Sequence, residues 1–490
     1  MRLADLLSRV LVRSVENIEE DSLDTINIKG VAQDTRKVKQ GFLFVCIKGH
    51  TVDGHNFVKQ AVAEGAIAIV ADRPVEIDVP VIYVKDTNKA LPQLADAFYH
   101  HPSEALTLYG VTGTNGKTTV THIIEHILRA TQHKTGLIGT LYNRIGENTF
   151  PTVNTTPEAV TLQSLFADMQ AEKVTDCVME VSSHALYEGR VWGVDFDVAV
   201  FTNLSQDHLD FHGTMDNYFL AKSLLFSQLG SSYAGKEKFA IINVDDAYGK
   251  QLLPLTSATI LTYGCEGEGD IQAKNIEFQS DGTHFELLLG DQTYEVKVPL
   301  LGRFNVYNIL AAIGATFVKG IAPEAIVEAL SSFTSVRGRM ELVPNNQGLT
   351  ILVDYAHTPD GLENVLNSLK KIKQRKIITV VGCGGDRDQL KRPIMAEVAT
   401  RLSNHVVFTS DNPRTEDPEK ILDDMTADLE AINYEVVADR KKAIYKALAK
   451  AKEQDIILIA GKGHETYQII GTIKYDFDDV KVVKEALAGK

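Results

Sequence analysis

Cysteine is scarce in this chain: Cys46, Cys177, Cys265 and Cys383 stand far apart among 490 residues and form no C-x-x-C pair. They read as reduced, mostly buried thiols of a cytosolic protein, which leaves no place for a disulfide framework. Long apolar runs are missing as well, since no stretch approaches the ~18 residues of a membrane-spanning helix. At the N-terminus, Met1 to Val12 is apolar in a helical pattern, with Leu3, Leu6, Leu7, Val10 and Leu11 on one face, but Asp5 and Arg9 interrupt any signal-peptide core. Positive charge is in deficit: 50 Lys and Arg against 65 Asp and Glu give a net charge of −15. That balance excludes the broad positive field of a nucleic-acid coat or an anionic-membrane binder. Repeats and low-complexity tracts are absent too. A cytoplasmic protein is expected, with no nucleic-acid partner and no membrane insertion, while small anionic ligands stay open because a few cations and helix N-termini suffice for them.

What is present is enough chain for about three domains at roughly 150 residues each. Residues 1 to about 100 read as a small α/β domain with polar loops at Asp34-Thr35-Arg36 and His50-Thr51-Val52. From about 101 to 335, strands alternate with helices as a mostly parallel sheet requires. From about 336 to 490, strands ending near Val353, Val381, Ser410 and Ala460 each run into a polar loop, the pattern of a doubly wound, Rossmann-like sheet with its working edge at the strand C-termini. Gly382-x-Gly384 does not complete G-x-G-x-x-G, because position 387 is arginine.

The central domain opens on a β-type run, Thr107 to Thr112, followed by Gly113-Thr114-Asn115-Gly116-Lys117-Thr118-Thr119 and an amphipathic stretch from Val120 to Ala130. Strand, phosphate loop and helix follow in that order. Gly113 and Gly116 allow a tight turn whose N–H groups point at an anion, Lys117 supplies a cation, and Thr118 offers a hydroxyl to Mg²⁺. The pattern G-x-x-x-x-G-K-[ST] fails by one residue, since Val111 stands where it needs glycine. Downstream, Asp176 to Glu180 reads as a buried strand with an acid at its C-terminal end, where Glu180 can hold Mg²⁺. The turn Asn154-Thr155-Thr156-Pro157-Glu158 opens a helix with Pro157 near its first position. Ser182 to Arg190 suits a substrate loop. His208 and His212 have i, i+4 spacing, but Gly213 follows at once, so one histidine on a hard metal is expected rather than a zinc pair. Lys222 lies within an expected helix from Met215 to Ser227, where the bland alternative is a surface lysine. Phe285 to Leu289 and Tyr294 to Val298 flank Gly290-Asp291 as a hairpin. Asn305 and Asn308, on the first turns of the next helix, are left open between contacting a base and capping.

Taken together, Thr-Gly-Thr-Asn-Gly-Lys-Thr at 112 to 118, Glu-Val-Ser-Ser-His at 180 to 184, Asn-Leu-Ser-Gln-Asp-His-Leu-Asp at 203 to 210, Gly-Arg-Met-Glu at 338 to 341 and Asp-Tyr-Ala-His-Thr-Pro at 354 to 359 resemble the Mur ligases over essentially the whole chain. The resemblance implies an ATP-dependent amide ligation through an acyl phosphate, in peptidoglycan precursor synthesis, with ATP and Mg²⁺ as cofactors. It implies that Gly113, Thr114, Asn115, Gly116, Lys117, Thr118, Thr119, Asn305, Arg339 and Asp354 contact ATP. One Mg²⁺ would be held by Thr118 and Glu180, and a second by His208 and a CO₂-carbamylated Lys222, whose carbamate turns a cation into an oxygen ligand. Lys117, Glu180, His208 and Lys222 form the implied catalytic set.

Thr35, His50, Thr51, Val52, Asn154, Thr155, Thr156, Ser182, Glu188 and Arg190 match positions for a UDP-sugar-peptide, UDP-N-acetylmuramoyl-L-alanyl-D-glutamate, though Glu188 stands where some relatives have glutamine. Asp411-Asn412-Pro413-Arg414, with Arg387, Gly461 and Glu465, resembles the pocket of members that add meso-diaminopimelate. There Arg414 can grip the side-chain carboxylate and Glu465 the ammonium. An L-lysine-adding ligase of the same family and a nucleotide-binding switch without chemistry are the alternatives, and a monomer is expected.

Overall fold

Short β-branched runs alternate with amphipathic helices along the chain, which is what parallel sheets covered by helices demand. The computed structural model describes residues 1–49, 52–230, 236–267, 269–279, 282–370 and 376–488. His50 and Thr51 therefore lie outside the described residues. The chain divides into two units, one of Met1–Thr112, Gln132–Ala199 and Ala221–Lys238, the other of Gly113–Thr131, Val200–Leu220 and Phe239–Lys490.

In the first unit, β1 (Val12–Glu16), β2 (Gly30–Ala32), β3 (Phe42–Val45), β4 (Ala66–Ala71) and β5 (Val81–Val84) form a sheet of order β1-β5-β4-β3-β2. Only β1 is antiparallel to its neighbour. Alternation along β3 sends Leu43 and Val45 into one core with Leu3, Leu6 and Leu94, and Phe44 into another with Val58 and Ala61. The N-terminal helix is shorter than its leucine pattern suggests. It spans Leu3–Leu7, Leu11 is 80% exposed, and Val12 already belongs to β1, because pairing with β5 outcompetes one more helical turn. The same unit holds β6 (Thr107–Thr112), β7 (Thr135–Ile138), β8 (Asn143–Ile145), β9 (Asn148–Phe150) and β10 (Asp176–Glu180). β10 runs parallel to both β6 and β7, and β8 and β9 fold back antiparallel.

The chain enters the second unit within β11 (Val198–Phe201). There β12 (Phe239–Asn243), β13 (Thr259–Gly264) and β14 (Ile271–Gln279) pair in parallel, and β15 (Gly282–Leu289) and β16 (Gln292–Val298) continue antiparallel. The expected hairpin closes where Leu289 faces Gln292, with Gly290 at φ 61° in the turn.

A second sheet contains β17 (Glu341–Leu342), β18 (Thr350–Asp354), β19 (Ile377–Val381), β20 (His405–Phe408), β21 (Tyr434–Val436) and β22 (Ile456–Ala460), ordered β17-β18-β22-β19-β20-β21. All pairings but that of β17 are parallel. The loops after β18, β19, β20 and β22 thus share one edge. A separate hairpin, β23 (Tyr467–Ile470) and β24 (Ile473–Asp476), follows. Among the described residues no helix is long and apolar enough to cross a membrane.

Candidate active site

After β6 the chain turns through Gly113 to Gly116 into a helix, Lys117–Ala130, which starts three residues before the apolar pattern at Val120. Both glycines are required. Gly113 and Gly116 have φ 149° and 89°, and a Cβ there would lie 1.9 Å from Thr202 Oγ1 and 2.4 Å from Asn308 Oδ1 respectively. Lys117 Nζ donates to the carbonyls of Gly113 and Thr114, each at 2.8 Å, so the ammonium sits over the loop at the positive end of the helix. The 202–205 run buttresses the turn. Thr202 Oγ1 donates to the Asn115 carbonyl (2.6 Å), Asn115 N–H donates to Asn203 Oδ1 (3.0 Å), and Ser205 N–H donates to Thr114 Oγ1 (3.0 Å). Tyr218 and Asp360 are partners the sequence did not reveal. The Tyr218 hydroxyl lies 3.2 Å from Thr114 Oγ1, and Asp360 Oδ2 accepts from Asn115 Nδ2 (2.9 Å) and Ser205 Oγ (3.1 Å).

Arg339 reaches the same loop, donating from Nη2 to Thr118 Oγ1 at 3.1 Å while its guanidinium covers the Tyr355 ring at 4.5 Å. Its buried Nε has no hydrogen-bond partner among the described residues. Asn305 and Asn308 are buried, and Asn308 Nδ2 donates to Asn305 Oδ1 (3.0 Å) while Asn305 Nδ2 donates to the Leu301 carbonyl (2.8 Å). Asp354 accepts from the N–H groups of Met340 and Ala356, both at 2.7 Å, which ties the 338–341 segment to the end of β18. Burial pushes its carboxyl above the usual range, against the pull of Arg339 and those two bonds. His208 caps a short helix, Leu209–His212, with φ 53°, so the two histidines are not stacked turns of one helix. His212 packs on the Tyr218 ring at 4.9 Å. Asp207 lies 3.4 Å from His208 Nε2, and although burial would raise its carboxyl, His208, His357 and Lys391 hold it below the ordinary range.

In the first unit, Glu180 ends a fully buried strand and is 1% exposed, so it is not a solvated acid. Its Oε1 accepts from Thr140 N–H (2.8 Å) and its Oε2 from Thr140 Oγ1 (3.1 Å). Gly139 makes room for it: a Cβ there would stand 2.5 Å from Glu180 Oε1. Thr140 Oγ1 lies 3.0 Å from Thr155 Oγ1, and Thr156 Oγ1 donates to the Glu180 carbonyl (2.8 Å) and accepts from Ser182 N–H (3.0 Å). Arg190 gathers the next group, donating to the Thr156 carbonyl (3.2 Å) and pairing with Glu188 (2.5 Å) and Glu158 (3.3 Å). A cavity of about 290 Å³ opens here, lined among others by Gln33, Lys48, Asn88, Glu158, Glu188 and Arg190. Asn154 joins through Glu158, at 3.4 Å. The helix after this turn starts at Ala159 with Glu158 as its cap, two residues beyond the expected Pro157. Thr35 sits in a short 3-10 turn and Val52 is exposed. Lys222, on the helix Met215–Ser227, is 1% exposed, which removes the bland reading of a surface lysine.

The loops after β19, β20 and β22 build a third group. Arg414 has φ 52°, its N–H donates to the Ile469 carbonyl (3.1 Å), its carbonyl accepts from Gly471 N–H (2.7 Å), and its Nη1 donates to the Gly385 carbonyl (2.7 Å). The β23–β24 hairpin thus grips the backbone of this arginine. Pro413 beside it is buried. Gly461, at φ 109°, passes so near Asp411 that a Cβ would lie 2.7 Å from its Oδ2. Glu465 Oε2 accepts from Asn412 Nδ2 and from Lys462 Nζ, both at 2.8 Å. Arg387 stays exposed and donates to the Asp386 carbonyl (2.9 Å), so it is not drawn into this network. The sequence does not mark Lys462 as a site residue. Its only signal was a lysine between two glycines after a buried strand.

Three family models match the chain: Mur ligase family, catalytic domain, over residues 27–99; Mur ligase middle domain over 111–316; and Mur ligase, glutamate ligase domain, over 338–463. The chain is 54% identical over 464 residues to the UDP-N-acetylmuramoyl-L-alanyl-D-glutamate--2,6-diaminopimelate ligase of Bacillus cereus, covering 94% of each chain. To the ligase of the same name from Bacillus velezensis it is 51% identical over 488 residues, 99% of each chain. A solved structure of a ligase of that name superposes with a TM-score of 0.70 at 32% identity, covering 100% of this chain and 99% of the other. With family models over well more than half of its length and relatives of half identity from end to end, the chain belongs to the Mur ligase family.

Proposed function

We infer that this chain is an ATP-dependent, ADP-forming ligase that adds meso-diaminopimelate to the D-glutamate of UDP-N-acetylmuramoyl-L-alanyl-D-glutamate in the cytoplasm, acting as a monomer. The observation that carries this is the 51% identity over 488 residues to a relative bearing that name. In the reaction the γ-phosphoryl group passes to the substrate carboxylate and ADP leaves. The amine of the amino acid then attacks the acyl carbon, phosphate departs, and the amine loses its proton as the amide forms. Lys117 and the N-terminus of its helix offset phosphate charge, and Arg339, whose buried Nε has no partner among the described residues, adds a second cation.

The donor chemistry fits Mg²⁺. The Thr118 hydroxyl and the Glu180 carboxylate would hold one ion, the His208 imidazole and an oxygen of a Lys222 carbamate a second, and such ions neutralise phosphate charge. Asn154, Thr155, Thr156, Ser182, Glu188 and Arg190 are proposed to bind the UDP-sugar-peptide beside the 290 Å³ cavity, and Asp411, Asn412, Arg414, Gly461 and Glu465 the amino acid. Arg414 binds the side-chain carboxylate by a charge-assisted bond worth roughly 1.5 to 3 kcal/mol, or one to two decades of preference. With L-lysine bound this half-buried arginine would lack an anion, which disfavours the lysine-adding alternative. An ADP-release assay with meso-diaminopimelate and L-lysine side by side, each with the UDP-linked dipeptide, tests the assignment. ADP release that requires the dipeptide and meso-diaminopimelate is expected. An equal or faster rate with lysine would refute the specificity, and no release with either would refute the activity.

A further inference from the structure

One charged group in the loop after β22 has no part in the reaction as described. Lys462 is 0% exposed. Its Nζ donates to Asn412 Oδ1 (3.0 Å) and Glu465 Oε2 (2.8 Å), and lies 5.6 Å from the centre of the Tyr467 ring. Asn412 Nδ2 donates to that same Glu465 oxygen (2.8 Å), which closes a ring of three side chains. Asn412 Oδ1 also accepts from Ile469 N–H at 2.9 Å. With two donors on Oδ1 and a carboxylate facing Nδ2, the amide has one workable orientation, since a flip would set NH₂ against an ammonium and an N–H. Glu465, in turn, already faces a buried cation. A ligand bearing a lone ammonium brings a second positive charge beside Lys462 and nothing to balance it. A ligand side chain ending in both ammonium and carboxylate brings no net charge.

We propose that Lys462 is a specificity-determining positioning residue: it fixes Asn412 and Glu465 and makes the pocket select a zwitterionic amino-acid side chain over a purely cationic one. This rests on the activity assigned above. The test uses the full-length chain and its Lys462→Met, Lys462→Gln and Lys462→Arg variants, with steady-state kinetics for meso-diaminopimelate and L-lysine at saturating ATP and UDP-linked dipeptide. For the neutral variants the KM for meso-diaminopimelate should rise about ten- to a hundredfold, from loss of a charge-assisted contact network. The ratio of kcat/KM for meso-diaminopimelate over lysine should fall by about tenfold or more, while the KM values for ATP and the dipeptide stay within about twofold. Lys462→Arg should keep most of the ratio. Adding Glu465→Gln to Lys462→Met should cost less than the product of the two single effects, because the lysine acts through Glu465. An unchanged ratio in the neutral variants, or equal losses for all three substrates, would overturn the proposal. If Lys462→Met does not fold, the Gln and Arg variants decide it, and the same ratio in both refutes the role of charge. Wild-type protein that turns over neither amino acid would instead refute the activity itself.

Discussion

Glu180 shows how much a single position depends on its surroundings. A glutamate at a strand end is usually solvated, yet here Thr140 holds both oxygens and the missing side chain of Gly139 gives one of them its space. Gly139→Ala should therefore displace the carboxylate by about an ångström, and misplacement of that size costs roughly a hundredfold in rate. The expected result is a large fall in kcat with a melting temperature close to wild type. Full activity would mean that the Glu180 position is not critical. Lys222 presents the converse case. Its burial removes the solvated reading, and a buried cation needs compensation. If Lys222 carries the proposed carbamate, Lys222→Ala should abolish ADP release, with partial rescue by added short carboxylates that supply the missing oxygen. Full activity without them would exclude the carbamate. Motif spacing made Lys117, Thr118 and Glu180 legible, because strand, loop and helix are local patterns. Gly139, Tyr218 and Lys462 were not, because each matters through a contact made across the fold.

At the level of elements, the helix after β6 and the β23–β24 hairpin differ in what their sequences disclose. The apolar pattern gave the helix, but its start at Lys117 is set by the left-handed Gly116, which periodicity does not register. The hairpin carried no visible site residue, yet its Ile469 carbonyl and Gly471 N–H clasp the backbone of Arg414 in a left-handed conformation. Gly471 has φ 61°, and a Cβ there meets nothing within 4 Å among the described residues. Gly471→Ala should thus cost only backbone strain, about 1 kcal/mol. The hairpin amides should exchange faster and the KM for meso-diaminopimelate should rise several-fold, with KM for ATP unchanged. Unaltered exchange and KM would show that the clasp does not govern Arg414.

Across the whole molecule, acid should be the vulnerable direction. Burial first, then the charges of Arg339 and Arg337, hold His464 down to about 3 from an ordinary 6.5. Between those values the unfolded chain binds a proton that the folded chain refuses, so stability is complete above about pH 6.5 and declines as pH falls toward 3. His357 is displaced in the same direction, mainly by burial and Lys391. The melting temperature should fall from pH 7 to pH 5, and His464→Gln should flatten that slope. An unchanged slope in the variant would assign acid sensitivity to other groups.

The sequence by itself determined the α/β class, the phosphate loop, the doubly wound sheet built of β17 to β22 and the kinship with Mur ligases, since strand and helix periods, glycine turns and motif order are written within short windows. Only the tertiary structure decided that Leu11 faces solvent, that Lys222 is buried, that Asp354 spends both oxygens on main-chain N–H groups, and that Lys462 stands between Asn412 and Glu465. Burial and hydrogen-bond partnership arise when segments far apart in sequence meet, and the free energy of a polar group is set by the neighbours it meets there.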